Sequence, residues 1–395
     1  MRARRWLRVA AFAALVTLPA GCGAKFELPT ESSNRLIASD GSYQMIATWP
    51  NWNGVRDLLL TQGGGSQLFA LVNIGGSGPG PWGGVLEISR STGAPLTPPF
   101  PGLFNPAALC SGGDGAGSPG NRLFVLDQGD TCLARLNPAT GTCDTTGTPP
   151  GGRPWGNRIT NLDAYWKVVE YDLLGASKGG FTDTSFAFVN GIAADRDGHV
   201  YVAGVAILLL PTTDPRVFER VYEHRIYRYL RGPRPGTPDP WVVGNWHRDP
   251  AFEIRQGTGV GAVIEPRGIY WSDRAGPALF VADLGNFRVE KVRDGNVTLP
   301  DSRYYHSLDF PDAPPLVEPL DVTADLAGFF YVADAGGAQV LRYDDAGPGY
   351  VQRVDVELNA NGLPLARPVA VAADADYAYV ADAGRSEIIR YRRRR

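Results

Sequence analysis

Amide, carboxylate and guanidinium side chains recur at the start of several short apolar runs. Asparagine begins NGVRDLL at residue 53 and NGIAAD at residue 190, and glutamate begins EPRGIYWSD at residue 265 and EPLDVTAD at residue 318. Carboxylate and amide oxygens are the ligands that calcium and other hard cations prefer. Asn-Gly before a strand is also ordinary turn chemistry, and an arginine at the same place would oppose a cation. The six candidate site residues at these positions are Asn53, Asn190, Glu265, Arg267, Glu318 and Arg367, and the same leaders also carry Asn51, Asn105 and Asp321.

Other catalytic arrangements have less support. The four histidines are scattered along the chain, and no serine lies in a nucleophile elbow. Aspartate recurs at the end of several apolar runs, where its carboxylate can accept backbone N–H groups in a tight turn. We interpret these aspartates as structural; they are Asp127, Asp283, Asp334 and Asp382.

The elements that must position these side chains are repeated. YVADAGGAQVLRYD at 331–344 recurs as YVADAGRSEIIRYR at 379–392, and weaker copies lie at 279–292, 200–229, 123–136 and 68–89. Each copy consists of a leader run and two further runs that are rich in β-branched and aromatic residues and bounded by Gly, Asp or Asn. Such a repeat predicts six β-units that bury their cores against one another.

The repeats resemble NHL repeats over roughly residues 50 to 395. The resemblance is most specific in the last three copies, where a proline precedes the leader strand and an aspartate closes the second strand. These residues are Pro266, Pro319 and Pro368, and Asp283, Asp334 and Asp382. The resemblance implies an all-β fold, a six-bladed β-propeller of the NHL/TolB-like type, with residues 41–395 as one closed domain. Copies one to three depart from the pattern. Copy one has only Val72 and Asn73 at the aspartate position, Gly204 replaces the aspartate in copy three, and insertions dilute copies two and three.

In a propeller the leader strands begin near one mouth of the axial channel, so the six polar residues named above are expected to converge there. Lactonase-type propellers bind a divalent metal at such positions, and NGIAAD at residue 190 resembles one of their ligand segments. That resemblance implies an alternative in which Asn190, Glu265 and Glu318 hold calcium or another divalent cation in a hydrolase or lyase. We favour a mouth that binds its ligand without metal, cofactor or catalysis.

The N-terminal segment MRARRWLRVAAFAALVTLPAGC has the charged, apolar and small-residue regions of a signal peptide. Its end resembles the lipobox of bacterial lipoproteins, which implies a signal over 1–21, a lipid on Cys22 and a linker over 22–40. Cleavage after Ala24, giving a secreted protein, is the alternative. Without the four signal arginines the net charge falls from −3 to −7, which argues against nucleic acid as a partner. We expect a monomer held at the outer membrane or the periplasmic face by its lipid.

The remaining cysteines, Cys110, Cys132 and Cys143, all lie in copy two. An odd number leaves at least one of them unpaired, and their spacing is not that of a zinc site. Cys132 and Cys143 are expected on neighbouring strands and form the preferred disulfide pair.

The insertions are the expected recognition surfaces, because loops on a rigid scaffold vary freely. They hold Trp155, Tyr165, Trp166, Trp241 and Trp246 among polar residues, which is typical of protein or glycan binding, although each could instead pack its insertion onto a blade. The function predicted is therefore a binding or scaffolding propeller.

Two local structures follow from the same reading. Residues 200–210 and 217–230 outlast an ordinary blade strand and predict one long antiparallel hairpin with its turn near Asp214 and Pro215. The last copy supplies only three strands, at 368–373, 377–382 and 387–392. Since an open edge invites aggregation, the alternating segment 41–49 is predicted to pair with 387–392 as the missing outer strand.

Overall fold

The computed structural model describes residues 42–61, 66–73, 83–114, 120–129, 166–211, 218–232, 242–273, 277–293, 303–305, 313–345, 349–355, 357–359 and 361–394. The predicted signal peptide, Cys22, the linker, Cys132 and Cys143 lie outside this part of the chain, as do Trp155, Tyr165 and Trp241. Within it, no helix is long and apolar enough to cross a membrane.

The regular secondary structure of the described chain consists of β-strands, apart from a single short 3₁₀ turn at Leu284–Asn286. The strands in chain order are β1 (Tyr43–Trp49), β2 (Val55–Leu60), β3 (Leu68–Asn73), β4 (Gly83–Ile88), β5 (Pro106–Gly112), β6 (Arg122–Asp127), β7 (Lys167–Asp172), β8 (Ser177–Asp183), β9 (Phe186–Ala194), β10 (Val200–Pro211), β11 (Phe218–Arg231), β12 (Val242–Val243), β13 (Trp246–Gln256), β14 (Ala262–Val263), β15 (Pro266–Ser272), β16 (Ala278–Asp283), β17 (Arg288–Arg293), β18 (Arg303–Tyr305), β19 (Pro319–Ala324), β20 (Phe329–Asp334), β21 (Gln339–Asp344), β22 (Gly349–Arg353), β23 (Pro368–Ala373), β24 (Tyr377–Asp382) and β25 (Glu387–Arg393).

These strands form six small sheets arranged as a ring, which confirms the six-bladed β-propeller. Blades 1 to 6 begin with β2, β5, β9, β15, β19 and β23, the predicted leader strands, and each of these contacts the leader strand of the next blade. In most blades the following strands add outward by antiparallel pairing. Blade 2 also carries β12 at its edge, and blade 3 ends in β13 and β14.

The core of the described chain lies between the blades rather than at the centre of the ring. Six apolar clusters fill the six contacts between neighbouring blades. Side chains of the inner strands alternate between the two faces of each sheet, and both faces are buried against a neighbouring blade. This arrangement explains why the second strands read as continuous apolar runs: in β20, for instance, five of the six residues are buried.

The predicted closing strand is confirmed. β1 pairs antiparallel with β25, from Tyr43 opposite Arg393 to Trp49 opposite Ile388, with one bulge. The resulting order β1-β25-β24-β23 gives blade 6 four strands that come from the two ends of the described chain.

Each recurring aspartate holds the segment that leads into the innermost strand of its own blade. Asp334 accepts the backbone N–H of Glu318 at 2.6 Å, and Asp382 accepts that of Arg367 at 2.8 Å. Asp382 also accepts the N–H of Gly384, in the turn after its own strand, as the sequence predicts. All four are fully buried, and they are Asp127, Asp283, Asp334 and Asp382.

The third strand of blade 2 differs from the expected one. The copy at 123–136 places this strand directly after Asp127, but β7 pairs with β6 over its whole length, from Arg122 opposite Asp172 to Asp127 opposite Lys167. The third strand of blade 2 is therefore β7, which begins about 30 residues after the end of the expected run. Both KVVEYD and the expected run suit a blade, and hydrophobic patterning alone does not distinguish them.

Two of the insertion tryptophans pack the blades. Trp166 and Trp246 are buried, with exposed fractions of 6% or less, and Trp246 lies 5.0 Å from the ring of Phe181. The recognition role considered for these two side chains is therefore wrong, because an aromatic ring this deep is available only to its neighbours.

The predicted long hairpin is confirmed as β10 and β11, which pair from Val200 opposite Tyr229 to Pro211 opposite Phe218. Pairing with β9 ends at Ala206 and pairing with β13 ends at Ile226. We call residues 207–211 and 218–223 the arm. Among the described strands, those of the arm pair only with each other.

Candidate functional site

The residues predicted at the axial mouth are held in local contacts. Glu265 forms an ion pair with Arg267 of its own blade, and Glu318 forms one with Arg367 of the next blade, at 2.7 Å. The amide Nδ2 of Asn190 donates to the carbonyl of Pro266 in the neighbouring blade at 3.2 Å.

These contacts bear on the metal alternative. Asn53 is exposed at its turn. Of the three possible ligands Asn190, Glu265 and Glu318, both carboxylates face a guanidinium. The set therefore fits a divalent cation poorly, and metal binding at this mouth stays a prediction.

The ring surrounds a partly open axial cavity of about 140 Å³. Its wall is built from the middle and the end of the innermost strands of all six blades, and the six predicted mouth residues are not in that wall. The cavity reaches residues just beyond the strand ends, including Asp195, Arg196 and Asp273.

Asp57 and Asp321 project from the innermost strands of blades 1 and 5 into this cavity. Asp57 accepts the N–H of Leu58 and, at 2.7 Å, that of Leu109 in blade 2. Asp321 accepts the N–H of Val322 and, at 2.8 Å, that of Val371 in blade 6. Each carboxylate thus clamps two neighbouring innermost strands while facing the axis.

The sequence already placed Asp321 among the leader residues, and comparison between the leaders could have added Asp57. Asp57 and Asp321 occupy the same position, each two residues after the start of its strand and just past a bulge. The other blades carry a small residue there, namely Ala108, Gly191, Gly268 and Ala370. The space at Gly268 is needed, because a Cβ atom there would lie 2.5 Å from Oδ1 of Asp321.

Burial perturbs both carboxyl groups. Desolvation raises the pKa of Asp321 to about 7. Desolvation, and then the negative charge of Asp321, raise the pKa of Asp57 well above its ordinary value. The hydrogen bonds from backbone N–H groups act in the opposite direction but do not outweigh burial. Near neutral pH the pair therefore holds protons that exposed aspartates would have lost.

The rest of the cavity wall combines aromatic, aliphatic and weakly polar groups. The ring of Trp271 stacks on Tyr201, and its Nε1 donates to Asp273 at 3.0 Å. Cys110 is a free buried thiol, and desolvation followed by the charge of Asp57 raises its pKa. A thiol with a raised pKa is a poor nucleophile, since the thiolate is the reactive form.

A second group of titratable residues, Asp195, Asp197 and His199, lies close enough together to contact one ion. Its geometry is that of a turn. Asp195 accepts the N–H groups of Asp197 and His199, and Nδ1 of His199 lies 2.8 Å from its carboxylate. That hydrogen bond raises the pKa of His199. Asp325 closes the equivalent turn of blade 5 in the same way, which makes the group part of the repeat.

The arm offers a surface of different character. Residues that lie opposite each other in an antiparallel pair point to the same face of the ribbon. One face of the arm carries Ile207 opposite Tyr222, Leu209 opposite Arg220, and Pro211 opposite Phe218. Leu209, Phe218 and Tyr222 are 43%, 55% and 57% exposed. We call this set the apolar face of the arm.

Comparisons with known proteins do not assign a function. No family model matches the chain, and no curated protein matches it. Similar solved structures include a protein of unknown function from Bacteroides thetaiotaomicron, with 12% identity over 89% of this chain and 75% of that one and a TM-score of 0.48. A PQQ-bound aldose sugar dehydrogenase from Streptomyces coelicolor matches with 15% identity over 89% and 98% of the two chains and a TM-score of 0.47.

An inactive virginiamycin B lyase from Staphylococcus aureus matches with 10% identity over 89% and 99% of the two chains and a TM-score of 0.45. At these scores the matches carry no argument about the present chain. The propeller assignment rests on its own six sheets.

Proposed function

We propose that this chain is a non-catalytic binding propeller of the bacterial cell envelope, related to NHL-repeat proteins and anchored by a lipid on Cys22. Its arm docks a partner protein. The observation that carries this proposal is the apolar face of the arm, where Leu209, Phe218 and Tyr222 are each more than two-fifths exposed. Contiguous exposed apolar surface of this kind marks interaction sites on soluble domains.

A two-stranded ribbon is marginally stable by itself, and the arm extends past the blade that supports its base. Long apolar side chains on such a ribbon gain little from intramolecular packing. They gain far more when a partner covers them, and aromatic residues beside an arginine are the composition of interface hot spots.

The charge on the arm defines the partner. Arg220 is the charged side chain of the apolar face, and it makes no ion pair within the described chain. The acidic residues Glu219 and Glu223 lie on the opposite face. A complementary partner therefore presents an apolar patch with a carboxylate opposite Arg220.

Metal-dependent catalysis at the predicted mouth has less support. A cation there would have to displace Arg267 from Glu265 and Arg367 from Glu318. Calorimetry with calcium tests this alternative directly: heat at micromolar ion that is lost in Glu265→Gln would favour the enzyme.

Photo-crosslinking tests the docking proposal. A photoreactive phenylalanine analogue at position 222 should give one discrete adduct in envelope extract, and the partner, once identified, is purified for affinity measurements. Arg220→Glu should weaken its binding by about tenfold or more, whereas Arg220→Lys should retain most of the affinity, because only the former reverses the charge.

The matched control places the same analogue at Leu174, which is 87% exposed in a turn of blade 2. Equal crosslinking from both positions, or binding unaffected by Arg220→Glu, would remove the arm as the docking site. Sedimentation with phosphatidylglycerol vesicles covers the other possibility, since vesicle binding that depends on Phe218 and Tyr222 would identify a lipid surface and overturn the proposal.

The anchoring proposal has its own test. Cys22→Ala should move the protein from the membrane fraction to the soluble fraction and abolish labelling by a fatty-acid analogue. A wild-type protein that is soluble and unlabelled would contradict lipidation.

A further inference from the structure

We propose that the axial cavity binds a small organic ammonium ion between Asp57 and Asp321. The inference is independent of the arm and of the predicted mouth. It rests on a partly open axial cavity of about 140 Å³, the two carboxylates that face it and the character of the remaining wall.

Among the residues that the structure describes, the charged groups lining the cavity are mostly acidic. They are Asp57, Asp321, Asp195, Asp273 and Arg196. Asp195 is engaged by its own turn and by His199, and Asp273 accepts Nε1 of Trp271. Arg196 is exposed beyond the end of β9, with its Nε 4.0 Å from Asp197. Asp57 and Asp321 are therefore the carboxylates available within the channel.

Both carboxylates are held in place and retain capacity to bind. Backbone N–H groups of Leu58 and Leu109 fix the two oxygens of Asp57, and those of Val322 and Val371 fix the two oxygens of Asp321. A carboxylate has about four lone-pair sites, so each still has acceptor sites left. These rigid acceptors need no reorganisation when a cation arrives.

A cation would relieve an electrostatic cost that the ring already bears. Two carboxylates facing one desolvated space cannot both ionise easily without a counter-charge. The raised pKa values of Asp57 and Asp321 result from this cost of ionisation. A bound cation supplies the missing charge and displaces the protons, so its binding must release protons at neutral pH.

The wall selects an organic cation over a bare metal ion. Calcium requires six to eight oxygen ligands in close geometry, whereas much of this wall is aliphatic or aromatic, including Leu59, Ile192, Ile269 and Trp271. Alkyl groups on an ammonium ion would contact the aliphatic residues, and the charge would be attracted by an aromatic face as well as by the carboxylates.

Titration calorimetry of the intact mature protein with tetramethylammonium and with choline tests the proposal. We expect at least one of them to bind at pH 8 and to bind about tenfold more weakly at pH 6. Below the pKa of the pair, each pH unit lowers the affinity by up to tenfold for each proton that the cation must displace. The measured heat should differ between phosphate and Tris buffers, because released protons are taken up by the buffer.

Asp57→Asn and Asp321→Asn should each lower the affinity by about tenfold or more. Asp197→Asn is the matched control, because it makes the same charge change at an exposed residue outside the cavity wall. Where a cavity variant does not fold, the pH and buffer dependence of the wild-type protein decides. Calcium binding in place of the organic cations, affinity independent of pH, or no binding by either cation would each overturn the proposal.

Discussion

The hydroxyl groups of Tyr43 and Tyr331 lie 2.7 Å apart although 288 residues separate them in the chain. Tyr331 also donates to Asp325 at 2.8 Å, so the outer strand of blade 6 is linked to the first turn of blade 5. Tyr43 and Tyr331 also belong to the same apolar cluster, which joins blades 5 and 6. Closing the ring therefore stabilises more than the edge of one sheet.

Deletion of residues 36–49 should lower the melting temperature by many degrees and make blade 6 readily cleaved by protease. The deletion removes the whole pairing with β25 and leaves a strand edge open. Tyr43→Phe is the graded control, since it removes one hydroxyl and should cost only about 1 kcal/mol. A truncated protein as stable as the parent would show that β1 does not close the ring in solution.

Asp321 should make the free energy of unfolding fall as pH rises from about 4 to about 7. Burial raises the pKa of its carboxyl group to about 7 in the folded protein, so the folded state holds a proton that the unfolded chain, with an ordinary aspartate, has already lost. The stabilisation is complete below the unfolded pKa and is lost as pH passes through the folded one.

Chemical denaturation at several pH values checks this, with Asp321→Asn as the comparison. The variant keeps only one of the two acceptor oxygens that bind the N–H groups of Val322 and Val371, so it should be less stable overall, by about 1 kcal/mol. Its stability should nevertheless vary less between pH 4 and pH 7. Identical slopes for the two proteins would count against a buried proton at this site.

Gly268→Ala should destabilise the ring by about 1–3 kcal/mol, the usual cost of overpacking. The new Cβ atom would lie 2.6 Å from the Cα of Asp321 and 2.9 Å from the carbonyl oxygen of Leu320, both of which are backbone atoms. Gly259→Ala is the matched control, because nothing lies within 4 Å of its added Cβ atom. Equal urea midpoints for the two variants would contradict the close approach of blades 4 and 5.

Trp246→Ala should cost about 3–5 kcal/mol, as expected for a buried aromatic side chain. The ring packs on Phe181 at 5.0 Å and lies 4.6 Å from the guanidinium carbon of Arg231. Leu174→Ala, at an 87% exposed position, should leave the melting temperature nearly unchanged. If the tryptophan variant melts with the parent, its ring does not join blades 2 and 3.

The blades and the closing strand could be predicted from the strand pattern and the repeat. A period-two pattern marks 41–49 as a strand, and the phrase at 331–344 recurs at 379–392. Because the last copy supplies only three strands, 41–49 could be assigned as its fourth. The third strand of blade 2 could not be predicted, since the insertion places β7 far along the sequence from β6 and two runs have a suitable pattern.

The cavity carboxylates were harder to predict than the strands that carry them. A bulge follows the start of the innermost strand in blades 1 and 5, between Val55 and Asp57 and between Pro319 and Asp321. A bulge re-aims the side chains after it, so simple alternation from the strand start does not tell which residue faces the axis. Attention to the strand starts therefore led to Glu265 and Glu318 rather than to Asp57.

The direction of the β1 and β25 pairing has a mechanical consequence. Tyr43 and Arg393 are opposite each other at one end of the ladder, and Trp49 and Ile388 are opposite at the other. A pulling force applied between Tyr43 and Arg393 acts along the hydrogen bonds, which run perpendicular to antiparallel strands, and loads one pair at a time. The pairing between β1 and β25 would then open one hydrogen-bonded pair at a time from the Tyr43–Arg393 end, instead of breaking all its hydrogen bonds at once. A ring that resists heat through this closure would yield to a small tension.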